Sequence, residues 1–287
     1  MSAPLVVTGA TGQLGRLVLQ SLLKQVPAGQ LVAAMRSPEK AQDLAALGIQ
    51  VRRADYDRPE TLLEAFRGAG RVLLISSSEL GKRFAQHRAA IDAAKAAGVQ
   101  LLAYTSLLRA GTSPLPLGLE HRQTEDYLQA SGLPFALLRN SWYTENYMAS
   151  IPPALQHGVF LGSAGEGKIA SAARADYAEA AAAVLLKPDQ AGRVYELAGD
   201  SAYTLAGLAA EVARQAGKPV AYQNLPEAEY QAILIGAGLP EPVARLLAES
   251  DTGAAQGGLF DDSHALSRLI GRPTTPMATS VAEALKG

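Results

Sequence analysis

Short apolar runs alternate with segments of helical periodicity over the first half of the chain. The apolar runs predict strands at Leu5–Val7, Gln30–Met35, Gln50–Arg53, Arg71–Ile75, Gln100–Thr105 and Pro134–Leu138. Between them the sequence predicts a first helix with Leu14, Leu17, Val18, Ser21 and Leu22 on one face, followed by helices at Glu39–Leu47, Pro59–Phe66, Phe84–Ala97 and Glu120–Ser131. This βα alternation is typical of a doubly wound parallel sheet, whose buried strands form continuous apolar runs.

The pattern loosens from Ile151 onward. Glycine and proline become frequent, helices dominate, and Val194–Leu197 and Val220–Gln223 have the pattern of isolated strands. Ligands of parallel sheets bind at the carboxyl ends of the strands, and we expect the tail to cover this edge. The sequence therefore predicts a sheet domain over residues 1–150 and a smaller lobe over residues 151–287, partly interwoven with the first.

A glycine-spaced turn joins the first predicted strand to the first predicted helix. In Thr8-Gly9-Ala10-Thr11-Gly12-Gln13-Leu14-Gly15, two residues separate the first two glycines, where many dehydrogenases have one. Because glycine lacks Cβ, the backbone can approach a pyrophosphate, and the N–H groups at the helix start can bind it.

Three glycines alone also fit a tight connection without a ligand. Here, however, they lie in a βαβ unit of about the ~30-residue length of dinucleotide sites. We therefore predict cofactor contacts by Gly9, Ala10, Thr11, Gly12, Gln13, Leu14 and Gly15. The predicted fold class is α/β, a Rossmann-type doubly wound parallel sheet with a smaller C-terminal substrate lobe.

Polar residues follow three further predicted strands. An NAD site places an acidic residue at the end of the second strand, whereas this chain has Arg36, which fits the 2′-phosphate of NADPH. Asp55 is positioned to accept a hydrogen bond from an adenine amino group, or equally to cap the helix near Pro59. The hydroxyl residues Ser76, Ser77 and Ser78 fit a close approach of the backbone to the cofactor, or a generic polar turn.

Composition narrows the function classes. The 287 residues include 26 Lys and Arg against 27 Asp and Glu, with no basic cluster typical of nucleic-acid binding. The absence of cysteine excludes disulfides, thiolate catalysis and cysteine metal sites. The four histidines show no metal-ligand spacing, and no Gly-x-Ser-x-Gly elbow occurs. We expect neither a metal nor a nucleic-acid partner.

The first predicted strand begins within a few residues of the N-terminus, which leaves no room for a signal peptide. No apolar stretch approaches the ~20 residues of a membrane span. These features predict a cytoplasmic protein with no membrane association.

Several motifs in order resemble the bacterial NADPH:quinone oxidoreductases of the NmrA-like branch of atypical short-chain dehydrogenases, with triphenylmethane reductase as a near relative. They are Thr8–Gly15, Leu73–Glu79, Ala103–Leu108, Leu138–Tyr147, Gly167–Ala172, Arg174–Tyr177 and Gly257–Asp262. The resemblance covers nearly the whole chain. Besides the glycine turn, Arg36 and Ser76–Ser78, it implies cofactor contacts at Tyr104, Thr105, Ser106, Asn140, Ser141, Trp142 and Tyr143, and it places Arg174 near the cofactor or the substrate entrance.

The chain departs from typical short-chain dehydrogenases at their catalytic Tyr-x-x-x-Lys motif. We align Leu117 and His121 with the tyrosine and the lysine, so the tyrosine acid is missing. Reduction of a ketone requires a proton donor for an alkoxide-like oxygen. A quinone instead yields a hydroquinone anion whose charge is delocalised over a ring, and water can protonate it. The missing tyrosine therefore favours a quinone substrate.

These features predict direct hydride transfer from NADPH to a quinone, without flavin or metal. The candidate catalytic residues are His121, Asn140 and Tyr143. One alternative is an NmrA-like redox sensor that binds dinucleotide without turnover, and another is a triarylmethane dye reductase. We expect a monomer or a homodimer.

Overall fold

Parallel strands form the centre of the fold. The computed structural model describes residues 3–286. The strands of this range are β1 (Leu5–Val7), β2 (Leu31–Met35), β3 (Gln50–Arg53), β4 (Arg71–Leu74), β5 (Leu101–Leu107), β6 (Phe135–Asn140), β7 (Val159–Gly162), β8 (Arg193–Leu197) and β9 (Ala221–Asn224). Within the described residues, seven of them form one sheet in the order β3-β2-β1-β4-β5-β6-β8. The predicted α/β fold with a doubly wound parallel sheet is confirmed.

Helices connect these strands and complete the chain. They are α1 (Gln13–Leu23), α2 (Gln42–Ala46), α3 (Pro59–Phe66), α4 (Arg83–Ala96), α5 (Gly118–Ala130), α6 (Thr144–Met148), α7 (Ile151–His157), α8 (Arg174–Leu186), α9 (Leu205–Ala216), α10 (Glu227–Gly236), α11 (Glu241–Ala255), α12 (Ala265–Ile270) and α13 (Met277–Ala284). The predicted helix at Glu39–Leu47 is shorter than expected, because a 3₁₀ turn at Pro38–Lys40 precedes α2.

Strand β1 lies at the centre of the sheet. Val6 pairs with Val32 of β2 on one side and with Val72 of β4 on the other, and all three residues of β1 are buried. One face of the sheet packs against α3 and α4 through residues such as Phe66 and Ile91. Burial of both faces explains why these strands carry no alternation of polar and apolar residues.

The chain divides by its internal contacts into two compact units. Unit 1 contains the chain up to Leu107, Glu120–Arg139 and Arg174–Tyr195, and unit 2 contains Leu108–Leu119, Asn140–Ala173 and the chain from Glu196 onward. The chain passes between the units several times, and residue 150 is not one of the crossing points.

Helix α8 belongs to unit 1 and packs against α1. Its small residues Ala178, Ala180, Ala181 and Ala182 are buried. Arg71 at the start of β4 donates from Nη1 to the backbone oxygens of Leu185 at 2.9 Å and Lys187 at 2.6 Å. The guanidinium thereby satisfies carbonyl groups at the negative end of the α8 dipole.

Two strands differ from the expectation. Val194–Leu197, predicted to be isolated, lies in β8 at one edge of the main sheet, where Ser141 N donates to Leu197 O at 2.8 Å. The predicted isolated strand Val220–Gln223 corresponds to β9, which pairs in parallel with β7 of unit 2. The sequence interpretation missed β7, a short strand whose partner lies far along the chain.

A buried carboxylate connects three elements of unit 2. Asp251 of α11 accepts hydrogen bonds from the Tyr147 hydroxyl of α6 at 3.1 Å and from Ser163 N, just after β7, at 2.9 Å. Burial raises the pKa of Asp251 to about 6, although both hydrogen bonds favour the charged form.

Among residues 3–286, no helix combines the length and the apolar character that crossing a bilayer requires.

Candidate cofactor-binding and catalytic site

The glycine turn is built for close packing and close approach. Gly9 has φ +58°, and Gly12 N donates to Gly9 O at 2.9 Å. A Cβ on Gly15 would lie 2.4 Å from Gly9 O, so only glycine fits there. Gly12 instead has an ordinary φ of −74° and is exposed, which leaves its backbone open to a ligand.

Helix α1 begins directly after Gly12 and has no side-chain cap. Its first N–H groups therefore point toward the turn as hydrogen-bond donors at the positive end of the helix dipole. Of the other predicted contact residues, Ala10 and Leu14 are buried, Thr11 is half-buried and Gln13 is exposed. The chemistry and shape of this turn fit a pyrophosphate.

Arg36 directly follows β2, the parallel neighbour of β1, and so lies at the same end of the strands as the glycine turn. Its side chain is 68% exposed, and Nη1 lies 3.4 Å from Glu79 Oε1. A cation at this position fits a 2′-phosphate.

Asp55 takes a local role after β3. Its Oδ1 accepts from Asp57 N at 3.1 Å, an Asx turn, and its own N–H donates to Thr61 Oγ1 at 2.9 Å. The N-cap position of α3 is Arg58, whose side chain makes no capping hydrogen bond, so the alternative that Asp55 caps this helix is wrong. The contact between Asp55 and adenine stays a prediction.

The segment after β4 is held by buried side chains. Ser77 N donates to His87 Nε2 at 2.9 Å, and Ser77 Oγ donates to Gln86 Oε1 at 2.5 Å. Arg83 Nε donates to Ser77 O at 2.7 Å, and Ser76 N donates to Thr105 Oγ1 at 2.9 Å. Helix α4 and strand β5 thus fix the backbone of the predicted cofactor segment.

His87 is fully buried, and its donors and acceptors define its tautomer. Because Nε2 accepts from Ser77 N, Nδ1 carries the proton and donates to Thr124 Oγ1 at 3.0 Å. The Thr124 hydroxyl in turn donates to Glu120 O at 2.8 Å. Burial and the nearby Arg83 cation lower the pKa of His87 to about 3, so the imidazole is neutral.

His121 forms a pair with Tyr104 inside unit 1. Their Nδ1 and hydroxyl oxygen are 2.7 Å apart, and Tyr104 is fully buried. Burial raises the pKa of Tyr104, while burial and Arg83 lower the pKa of His121 well below its ordinary value. The tyrosine therefore donates to a neutral imidazole, and no imidazolium is present near neutral pH.

Ser106 at the end of β5 belongs to a second buried group. Its hydroxyl donates to Glu125 Oε1 at 2.5 Å, and the same carboxylate accepts a bidentate pair from Arg139, with Nη2 at 2.6 Å from Oε2. This charge-assisted arrangement holds the side chain of Ser106 in β5 against Glu125 of α5.

The predicted site residues at the end of β6 and just after it lie in unit 2. Asn140 is 4% exposed, and its Oδ1 is a buried polar atom without a hydrogen-bond partner among residues 3–286. Ser141 Oγ donates to Leu259 O at 3.2 Å, Trp142 is 7% exposed, and Tyr143 is half-buried. An unpaired buried amide oxygen is costly without a donor, so Asn140 fits a ligand-binding position.

The remaining predicted positions lie at the N-terminal ends of helices α5 and α8. Leu117 lies just before α5 and is half-buried, and His121 is in the first turns of that helix. Arg174 is the first residue of α8 and is half-buried.

Over the part of the chain that the structure describes, no group of three or more metal-ligating side chains is close enough to hold a metal ion.

Comparison with known proteins agrees with the dinucleotide binding that the glycine turn predicts. Residues 9–188 match the sequence profile of a family described as NAD(P)H-binding. The chain belongs to this NAD(P)H-binding family. Quinone oxidoreductase 2 of Escherichia coli (strain K12) is 60% identical over 277 residues, which are 96% of this chain and 97% of that protein.

Two solved structures are similar to this chain over its whole fold. An NADPH-dependent quinone oxidoreductase from Escherichia coli, complexed with NADPH, has a TM-score of 0.96 at 59% identity, covering 98% of this chain and 99% of the other. The triphenylmethane reductase of a Citrobacter species, complexed with NADP(H), has a TM-score of 0.94 at 36% identity, covering 98% and 99%.

Sequence reasoning missed the buried side chains that hold the segments of the candidate site in place. Arg83, Gln86 and Glu125 lie on helices α4 and α5, where charged residues are normally assigned to the solvent face. His87 is a buried residue of α4, and its hydrogen bond to the Ser77 backbone was not foreseen. The low amphipathicity of α4, with polar residues on every face, was the available signal.

Proposed function

We propose that the protein is an NADPH:quinone oxidoreductase that transfers a hydride directly to a quinone, without flavin or metal. The observation that carries the proposal is the 60% identity to Escherichia coli quinone oxidoreductase 2 over 96% of the chain. The fit of the glycine turn to a pyrophosphate supports it from within this structure.

In this proposal the chain binds NADPH through Gly9–Gly15 and the start of α1, with Arg36 on the 2′-phosphate. Ser76–Ser78, Tyr104–Ser106, Asn140–Tyr143 and Arg174 complete the cofactor contacts. When bound, NADPH supplies the hydride. Asn140 offers an unpaired amide oxygen to a donor on the ligand.

The protein supplies no acid of the Tyr-x-x-x-Lys kind to the product. Leu117 has no proton to donate, and His121 is neutral and bonded to Tyr104. The quinone gains the hydride and becomes a hydroquinone anion, and water supplies the proton that completes the hydroquinone. Among the proposed catalytic residues, Asn140 and Tyr143 position the reactants, and His121 holds Tyr104.

The test follows NADPH absorbance with purified full-length protein and benzoquinone, a naphthoquinone and a ubiquinone analogue. We expect quinone-dependent loss of NADPH that persists after chelator dialysis in a protein without flavin absorbance. NADPH deuterated at the transferred position should turn over more slowly. NADPH binding without quinone-dependent oxidation would favour the redox-sensor alternative, and loss of activity with chelator would overturn the metal-free mechanism.

Triarylmethane dye reduction is a second activity of the same site. The observation that favours it is the TM-score of 0.94 with the Citrobacter triphenylmethane reductase at 36% identity. Malachite green bleaching with NADPH in the same preparation tests it.

We also propose a cytoplasmic location, no nucleic-acid partner, and a monomer or homodimer. The near-neutral charge of −1 supports the absence of nucleic-acid binding. Fractionation of cells and light scattering of the purified protein test the location and the oligomeric state.

A further inference from the structure

Glu79 shares its carboxylate between two cations at the edge of the sheet. Arg36 Nη1 lies 3.4 Å from Glu79 Oε1, and Lys82 Nζ lies 3.8 Å from Glu79 Oε2. The side chain of Glu79 is 39% exposed, whereas those of Arg36 and Lys82 are 68% and 67% exposed. The carboxylate is therefore the more enclosed member of this group.

The backbone of Glu79 is held by the buried side chain of Ser77. Its N–H donates to Ser77 Oγ at 3.2 Å, and Ser77 is held by the buried side chains of Gln86, His87 and Arg83. Arg36, by contrast, reaches Glu79 through a long and flexible side chain. A ligand that needs the guanidinium must draw Arg36 away from the Glu79 carboxylate.

We propose that Glu79 is a specificity-determining residue for the cofactor: it competes with the 2′-phosphate of NADPH for Arg36 and reduces the preference for NADPH over NADH. This inference rests on the proposed function, and in particular on Arg36 binding the 2′-phosphate. NADH has a hydroxyl in place of that phosphate, so its binding does not require Arg36 to leave Glu79. The ion pair therefore opposes one cofactor and not the other.

The expected effect is that of one exposed ion pair together with the removal of a nearby like charge. Glu79→Gln keeps the size and the hydrogen-bonding capacity of the side chain and removes its charge. We expect this variant to bind NADPH about three- to tenfold more tightly than the wild type, while the affinity for NADH changes by less than about twofold.

The experiment is calorimetric titration of the full chain with NADPH and with NADH at one low ionic strength. Glu39→Gln is the matched control, because Glu39 is an exposed carboxylate close to Arg36 in the chain but forms no ion pair with it among the described residues. The third and fourth proteins are Arg36→Ala and the double variant Arg36→Ala/Glu79→Gln. If Glu79 acts through Arg36, Glu79→Gln should change the affinity ratio much less in the Arg36→Ala background, where only the repulsion between Glu79 and the 2′-phosphate remains.

Three outcomes would overturn the inference alone: an unchanged ratio in Glu79→Gln, an equal change in Glu39→Gln, or a full effect of Glu79→Gln without Arg36. The proposed function fails in a different way: wild-type protein would then bind NADPH without oxidising it with any quinone, which leaves the inference on cofactor affinity standing. Binding of neither cofactor would overturn both the proposed function and this inference.

Discussion

The buried carboxylate of Asp251 should make the protein less stable above about pH 6, and Asp251→Asn should remove that loss. In the folded protein, burial raises the pKa of Asp251 from 3.8 to about 6. Between these two pH values the native state binds more protons than the unfolded state, so the stability that this group contributes falls as the pH rises. Below pH 3.8 the carboxyl is protonated in both states, and its cost is absent.

The magnitude follows from the size of the shift. A difference of about 2 pKa units corresponds to about 3 kcal/mol of unfolding free energy, fully expressed above pH 6. For a chain of this size, about 3 kcal/mol moves the melting temperature by roughly 6–12 °C.

The amide of Asp251→Asn keeps the acceptor for Ser163 N on its oxygen. Its NH₂ group donates to the Tyr147 hydroxyl, which reverses the observed hydrogen bond and takes away the acceptor of the Tyr147 O–H. The variant therefore removes the buried charge at the cost of one rearranged hydrogen bond, and this cost does not depend on pH.

The assay is thermal unfolding of both proteins from pH 4 to pH 8. The neutral histidines His87 and His121 produce the opposite slope in this range, but they are common to both proteins and cancel in the difference. We expect Asp251→Asn to melt well above the wild type at pH 8 and near it at pH 4. Glu241→Gln, at an exposed position of the same helix, is the matched control for the loss of one negative charge. A variant uniformly less stable than the wild type at every pH would refute the reasoning.

Four further predictions concern the proposed site. Gly12→Val should fold, because the φ of −74° tolerates a side chain, but NADPH should no longer raise its melting temperature; a surviving shift would place the phosphates elsewhere. Arg36→Ala should weaken NADPH by roughly 1.5–3 kcal/mol and hardly affect NADH, as measured by dissociation constants; equal losses for both would contradict the assignment. His87→Leu should leave the Ser77 N–H unpaired, lower the free energy of unfolding by about 1–3 kcal/mol and weaken NADPH binding. His87→Gln keeps an acceptor and should recover much of the stability and of the NADPH affinity; identical behaviour of the two variants would argue against a positioning role. His121→Ala should change kcat by much less than the ~10²–10⁴-fold typical of a lost general acid, while Trp142→Ala should mainly raise KM; abolished turnover in His121→Ala with intact NADPH binding would identify histidine as the acid.

Local signals predicted the part of the site that depends on local backbone. The glycine turn and Arg36 are read from spacing over a few residues, and the structure places them after the carboxyl ends of the neighbouring parallel strands β1 and β2. The family membership and the α/β fold follow from the same signals.

Interactions between distant segments were not predictable in the same way. Strand β7 has four residues and pairs with β9 far along the chain, so no local pattern indicates it. His87 and Gln86 bind the segment after β4 from inside the protein, and only the fold shows that their face of α4 is buried. Polar side chains in such positions look like surface residues until their partners are known.

The contact of Arg71 with the end of α8 has a consequence for how the chain reaches its native state. The sheet unit is completed only by residues 174–195, which emerge after two segments of unit 2, Leu108–Leu119 and Asn140–Ala173, have been synthesised. Until then, the face of α1 that α8 covers stays open, and Arg71 lacks the carbonyl groups of Leu185 and Lys187. A chain truncated near residue 150 should therefore be poorly folded and prone to aggregate. Folding should be slow for a protein of this size, because long segments of chain must close into loops before α8 can contact α1 and Arg71.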